Sequence, residues 1–214
     1  EAATRIQAFG ADGITVHPRP DARHITYQDV HDLRKVVHTE FNVEGYPSDD
    51  FVKLVCDAKP EQVTLVPDPP HVLTSNAGWT VTDHADLLKN VLAVFKAEGI
   101  RTSLFIETDE AQIHAAAAVG AERIELYTES FAVQHAAIGK AASEPFAQAA
   151  SWAHEAGLGV NAGHDLNLQN LRDFAESVPH LAEVSIGHAL IADALYLGMS
   201  NAVAQYRACL ATRA

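Results

Sequence analysis

Short runs rich in Val and Ile recur along the chain, and longer stretches with apolar residues at helical spacing lie between them. The short runs are 13–17 (GITVH), 41–45 (FNVEG), 62–66 (QVTLV), 101–106 (RTSLFI), 123–128 (RIELYT), 159–164 (GVNAGH) and 183–188 (EVSIGH). Their length, β-branched content and low charge predict strands buried on both faces. The intervening stretches carry helix start signals. Thr26 precedes Val30, Leu33, Val36 and Val37, and Ser48 precedes Asp49 and Asp50. Asp109 has Gln112 three residues on, a capping-box-like pair. The triplets AEG, AVG and EAG put Gly99, Gly120 and Gly157 just past a last helical turn. The chain opens inside a helical stretch, EAATRIQAFG.

Repeated βα units predict a parallel sheet, either an open doubly wound sheet or a closed (β/α)₈ TIM barrel. No Gly-x-Gly-x-x-Gly follows a strand, which weighs against a dinucleotide-binding fold. With seven strands in view, an eight-stranded barrel whose first strand lies upstream of Glu1 reads this way. The expectation is an α/β TIM barrel forming one domain over 1–214. Its 214 residues, with 48% hydrophobic and 20% charged, suit a globular domain. The net charge of −13, from 15 Lys+Arg against 28 Asp+Glu, and the scatter of the basic residues argue against a nucleic-acid partner. No apolar run approaches the roughly 18 residues of a membrane span, and no signal peptide is visible. Cys56 and Cys209 fit neither a metal spacing nor a disulfide framework. They read as reduced core thiols of a cytoplasmic protein.

Titratable residues recur at the expected carboxyl ends of strands: His17, Glu44, Glu125, His164 and His188. In a barrel those ends converge on one mouth, where the chemistry sits. Arg19, Arg23 and His24 follow the first strand and suit phosphate oxygens, or else form a solvated loop. Gly163-His164 and Gly187-His188 end what would be strands seven and eight, the usual place of a barrel phosphate subsite. Glu44 and Glu125 interrupt apolar runs. Burial there would raise their pKa into the range of general acid–base work, unless a buried Arg pairs with them. The stretch 67–83 is long and Pro-rich, like a lid. In it Thr74 and Ser75 are donors for a ligand, and Trp79 is either a latch or barrel packing. No lysine ends a strand, which argues against a Schiff-base enzyme. Arg19 stands where a second ligand would follow His17, which argues against a metal site.

The motifs GADGITVH-x-R-x-x-x-RHI, NVEG, LVP, TSLFI, IELYT, VNAGH and IGHA, in this order across essentially the whole chain, resemble the pyridoxine 5′-phosphate synthase family. That resemblance implies a (β/α)₈ barrel with extra helices, a cytoplasmic homo-octamer and no metal or organic cofactor. It implies condensation of 3-amino-2-oxopropyl phosphate with 1-deoxy-D-xylulose 5-phosphate to give pyridoxine 5′-phosphate, phosphate and water. Carried over by residue, it makes His17 and Glu44 proton acceptors, His164 the proton donor and Glu125 a transition-state stabiliser. Arg19, His24 and Thr74 would hold the deoxyxylulose phosphate; Gly187, His188 and the position of Asp165 would hold the aminoketone phosphate. Three features depart from the family pattern. Its opening strand is absent. Asp165 stands where Gly is common, and either it or Asn167 would cap the next helix. Glu129 follows the YT dipeptide where Gly is usual. Two other readings stand beside the synthase: a barrel isomerase or epimerase acting on one sugar phosphate, and a non-catalytic phosphate-ligand-binding barrel.

Overall fold

The computed structural model describes residues 1–67 and 77–211. Within them the chain runs α1 Ala2–Ala8, β1 Gly13–Val16, α2 Tyr27–Arg34, β2 Glu40–Gly45, α3 Asp49–Ala58 and β3 Gln62–Leu65. It continues α4 Ala85–Ala97, β4 Arg101–Ile106, α5 Glu110–Ala118, β5 Arg123–Tyr127, α6 Glu129–Ile138 and α7 Glu144–Glu155. It ends β6 Gly159–Gly163, α8 Leu171–Ser177, β7 Leu181–Ser185, α9 His188–Leu197 and α10 Met199–Leu210. All seven strands pair in parallel and in chain order, as helical crossovers require. Arg101 on β4 and Gln62 on β3 both bond Glu183 on β7, so the sheet is curled into a nearly closed barrel. This is the expected TIM-like class, with seven strands described; β1 and β7 do not pair with each other among the described residues.

The strands are buried on both faces, as expected, but the two faces differ in chemistry. Phe41, Val43, Val63, Leu65, Leu104, Ile106, Ile124 and Leu126 alternate along the strands and are fully buried in the same apolar cluster as Leu54, Leu88, Phe95, Ile113 and Phe174 of the helices. Each such side chain stabilises the fold by about 1.5–3 kcal/mol. The residues between them, apart from Phe105, which clusters with Val66 and Tyr127, are polar and point into the barrel. Asn42, Gln62, Thr64, Glu125 and Asn161 are buried there and bond one another or groups on non-adjacent strands. The apolar core is therefore a sleeve between sheet and helices, and the lumen is polar.

Local signals set the element ends. Thr26 and Asp29 form a complete capping box, each side chain accepting from the other's backbone N–H. Ser48 accepts from Phe51 N–H. Asp109 accepts from Gln112 N–H, but the Gln112 amide oxygen accepts from Thr82 N–H instead, so this box is only half made. Gly99, Gly120 and Gly157 have φ of +74°, +91° and +80°, as glycines just past a helix do. The last strand is the one misplaced: it ends at Ser185 rather than His188, because Gly187 already caps α9. Cys209 is buried and Cys56 half-buried on α3, and both are free thiols. Trp79 packs on the barrel wall. Its indole N–H donates to Leu65 C=O at 2.9 Å, and its ring lies 6.0 Å from Tyr46. Thr74 and Ser75 lie outside the described residues.

Candidate active site

The parallel strands deliver their carboxyl ends to one mouth. His17 follows β1 directly, and Glu44 is the penultimate residue of β2, whose register sets Val16 beside Val43. His17 Nδ1 and Glu44 Oε2 are 4.0 Å apart, beyond a hydrogen bond but within reach of one proton-bearing group between them. Burial lowers the His17 pKa from 6.5 to about 4, helped by the cations Arg19 and Arg23 and by His164. His17 is thus a neutral imidazole at physiological pH, free to accept a proton. The same shift shows that Arg19 and Arg23 lay positive potential over this edge of the mouth. Arg23 Nε also donates to Asp21 at 2.7 Å, which shapes the loop. His24 is exposed on that loop.

His164 follows β6 in the left-handed region, with φ +80°, and Asp165 continues it with φ +56°. The Thr128 hydroxyl holds this turn by donating to Gly163 C=O at 2.6 Å and touching His164 C=O. The imidazole packs 5.3 Å from the Phe105 ring and edge-on to Tyr127 at 5.1 Å. Its direction is therefore set by two aromatic walls, and its charge is felt at His17.

Glu125 does not stand on the rim. It is the middle residue of β5 and lies below the mouth in the lumen, only 3% exposed. Burial raises its pKa well above 4.5, and the nearby carboxylates Glu44 and Glu183 push it further. The Thr64 side chain hydrogen-bonds to it and opposes the shift. No cation is among these influences, so burial favours the protonated form of Glu125, and the residue is not half of an ion pair. Gly163 makes room for it: a Cβ there would fall 2.2 Å from Glu125 Oε1.

Gly187 and His188 sit where α9 begins, and the first turn of α9 carries no acid. Its free backbone N–H groups and positive dipole end suit a phosphate. Asp165 is exposed on the turn after β6; Asn170, not Asp165 or Asn167, stands just before α8, and its side chain makes no capping bond to the helix. The Asp165 carbonyl accepts from Asn170 Nδ2 at 3.2 Å, while Asn167 accepts from Gln169 N–H in a turn of its own. Glu129 opens α6 and accepts from the Tyr127 hydroxyl at 2.6 Å, which together with burial raises the Tyr127 pKa.

The structure therefore brings His17, Glu44, Glu125 and His164 together, and sets Arg19 and the α9 N-terminus around them. Sequence reasoning missed Thr64, Asn42, Phe105 and Tyr127, which hold these groups. It also missed the ion cluster of Glu40, Arg101, Arg123 and Glu183 at the opposite end of the lumen. A signal was present: Glu40, Asn42 and Glu44 alternate, as do Arg101 with Ser103 and Arg123 with Glu125. Among the described residues no group of three or more His, Cys, Asp and Glu is arranged to hold a metal ion.

Two kinds of similarity bear on this site. In overall shape the chain is similar to phosphoribosylanthranilate isomerase from Thermotoga maritima, with a TM-score of 0.64 at 13% identity over 98% of this chain and 92% of that one. It is equally close to thiamine phosphate pyrophosphorylase from Pyrococcus furiosus, with a TM-score of 0.64 at 13% identity over 98% and 88%. At that identity the likeness speaks for the barrel alone. In sequence it is 58% identical to pyridoxine 5′-phosphate synthase of Porphyromonas gingivalis, over 98% of this chain and 88% of the relative. It is 56% identical to the enzyme of that name from Christiangramia forsetii, over 96% and 87%. The family profile described as "Pyridoxal phosphate biosynthesis protein PdxJ" matches residues 1–212. A barrel with His17 and Glu44 at its mouth and the buried Glu125 beneath them thus comes with a sequence match along nearly its whole length, and the chain belongs to the PdxJ family.

Proposed function

We propose that this chain, as one domain over 1–214, condenses 3-amino-2-oxopropyl phosphate with 1-deoxy-D-xylulose 5-phosphate to pyridoxine 5′-phosphate, phosphate and water. The observation that supports the reading is the meeting at one mouth of His17 and Glu44, 4.0 Å apart, above the buried Glu125, with opposed shifts: His17 is lowered to about 4 and Glu125 is raised by burial. The substrate amine attacks the ketone of its partner, so no enzyme lysine is needed. The dehydration, phosphate loss, enolisation and ring closure that follow need repeated proton transfers. Glu44, 4.0 Å from His17, is the second acceptor, and His164, held against Phe105 and Tyr127, is the donor. Glu125 donates a hydrogen bond to developing charge from beneath. Arg19, His24 and Thr74 hold one phosphate; Gly187, His188 and the backbone at Asp165 hold the other. Two phosphate anchors side by side supply the proximity that a two-substrate condensation needs.

The reading includes a cytoplasmic location, supported by two free thiols, and a homo-octamer, supported by the exposed Ile191, Leu195 and Tyr196 of α9. The test is an assay with both substrates, following pyridoxine 5′-phosphate and phosphate. Glu44→Gln and His164→Asn should each lose at least about a hundredfold in kcat. Product formed undiminished by both variants would overturn the residue roles. Turnover of the sugar phosphate alone, without the amine, would favour the isomerase reading.

A further inference from the structure

Three consecutive residues bear on His164. Tyr127 ends β5, Thr128 follows it, and Glu129 opens α6. Thr128 fixes the backbone: its hydroxyl donates to Gly163 C=O at 2.6 Å, and its N–H donates to the same oxygen at 3.0 Å. Tyr127 meets the ring, edge-on to the imidazole with centroids 5.1 Å apart. Phe105 completes a triangle, 5.1 Å from Tyr127 and 5.3 Å from His164. The register partner of Tyr127 on β6 is Gly163, which has no side chain to brace the phenol ring on that side. The far end of the ring is held instead. The Tyr127 hydroxyl donates to Glu129 Oε2 at 2.6 Å. Glu129 is exposed, but its backbone belongs to the first turn of α6, where the helix dipole favours a carboxylate. Its oxygen is thus a fixed point for the phenol. Glu129 is also a residue at which this chain departs from the family pattern, and no step proposed for the condensation uses it.

We propose that Glu129 is a positioning residue for the condensation: its carboxylate holds the Tyr127 hydroxyl, and the pinned Tyr127 ring holds the His164 imidazole. This rests on His164 being the proton donor. Neither Glu129 nor Tyr127 exchanges a proton with substrate. Burial and the neighbouring carboxylate both keep the phenol protonated, so Tyr127 is always the donor in this pair. With its hydroxyl released, the ring can swing toward the side that Gly163 leaves open, and the imidazole loses an aromatic wall. Proton transfer needs the donor aligned within hydrogen-bond reach of its target. A loosened imidazole therefore slows turnover without weakening substrate binding.

The test is steady-state kinetics with both phosphorylated substrates on Tyr127→Phe, Glu129→Ala, the double variant, Glu129→Gln and His164→Asn. Tyr127→Phe and Glu129→Ala should each lower kcat about 3- to 10-fold, with each KM within about twofold, as loss of one hydrogen bond that aligns a reacting group predicts. The double variant should be no slower than the worse single one, because both substitutions remove the same bond. Glu129→Gln keeps an oxygen that accepts from the phenol and should stay within about twofold of the parent. Parental kcat in both single variants, beside an impaired His164→Asn, overturns the proposal and leaves His164 as the donor. Losses that multiply in the double variant also overturn it, since the two residues then act independently. A Glu129→Gln enzyme as slow as Glu129→Ala overturns it in favour of the charge of Glu129, and a raised KM with parental kcat does so in favour of a direct contact with substrate. Full activity in His164→Asn instead removes the donor assignment, and the role of Glu129 with it.

Discussion

Burial of Glu125 makes its proton part of the stability of the fold. The folded state holds that proton well above pH 4.5, whereas the unfolded chain loses it there. Stability therefore falls as pH rises through this window, by about 1.4 kcal/mol per pH unit for as long as only the folded state is protonated. Glu125→Gln removes this dependence while keeping the shape. Thermal melts should show the variant gaining on the parent from pH 5 to pH 7, by several degrees at roughly 2–4 °C per kcal/mol. A gap that does not widen would mean that Glu125 is ionised in the fold. The sequence marked this residue as a carboxylate in an apolar run, and the structure keeps it as one. It did not show that Ile124 and Leu126 face the opposite way, so the run is only half apolar. It also put Glu125 on the rim, because strand depth depends on register and register is not written in one strand. His17 and Glu44 were legible because they fall within a residue of a strand end, where the mouth must be.

At the scale of elements, backbone strain gathers in the connections, at Ala22, Lys59, His164, Asp165 and His180. The turn from β6 places His164 and Asp165 in succession in the left-handed region, where a side chain costs about 1–2 kcal/mol, less for Asp. Thr128 holds the turn from below. Asp165→Gly should raise stability by about 0.5–1 kcal/mol, since glycine adopts this backbone freely. On the proposed assignment of this turn to the aminoketone phosphate, it should also lower KM for that substrate several-fold by removing a carboxylate. A melt and a KM titration check the two effects separately, and a lower melting temperature would show that the turn is not strained. Helix starts were the most legible elements, because Thr26, Ser48 and Asp109 each cap through their own side chain. The end of β7 was not, because a Gly-His pair looks the same whether it finishes a strand or opens a helix.

For the whole molecule, Glu183 ties the curl of the sheet together. It accepts from Arg101 at 3.1 Å, Arg123 at 2.7 Å and Asn161 at 3.1 Å, on three different strands. The charged side chains of this cluster are one-fifth to one-third exposed, so solvent screens them in part. Glu183→Ala leaves Arg123 with Asn161 as its remaining partner and should cost about 2 kcal/mol. Hydrogen exchange should show the loss first in the amides of β7, and uniform protection would argue against this role. The sleeve-and-lumen division described above has a consequence for how such a protein changes over generations. The apolar contacts that keep the chain folded and the polar groups that react lie on opposite faces of the same strands. Neighbouring positions therefore answer to different selection: the sleeve can drift among hydrophobic residues of similar volume while the reacting set stays in place, and the lumen can be rewritten toward another phosphorylated substrate without dismantling what holds the barrel up.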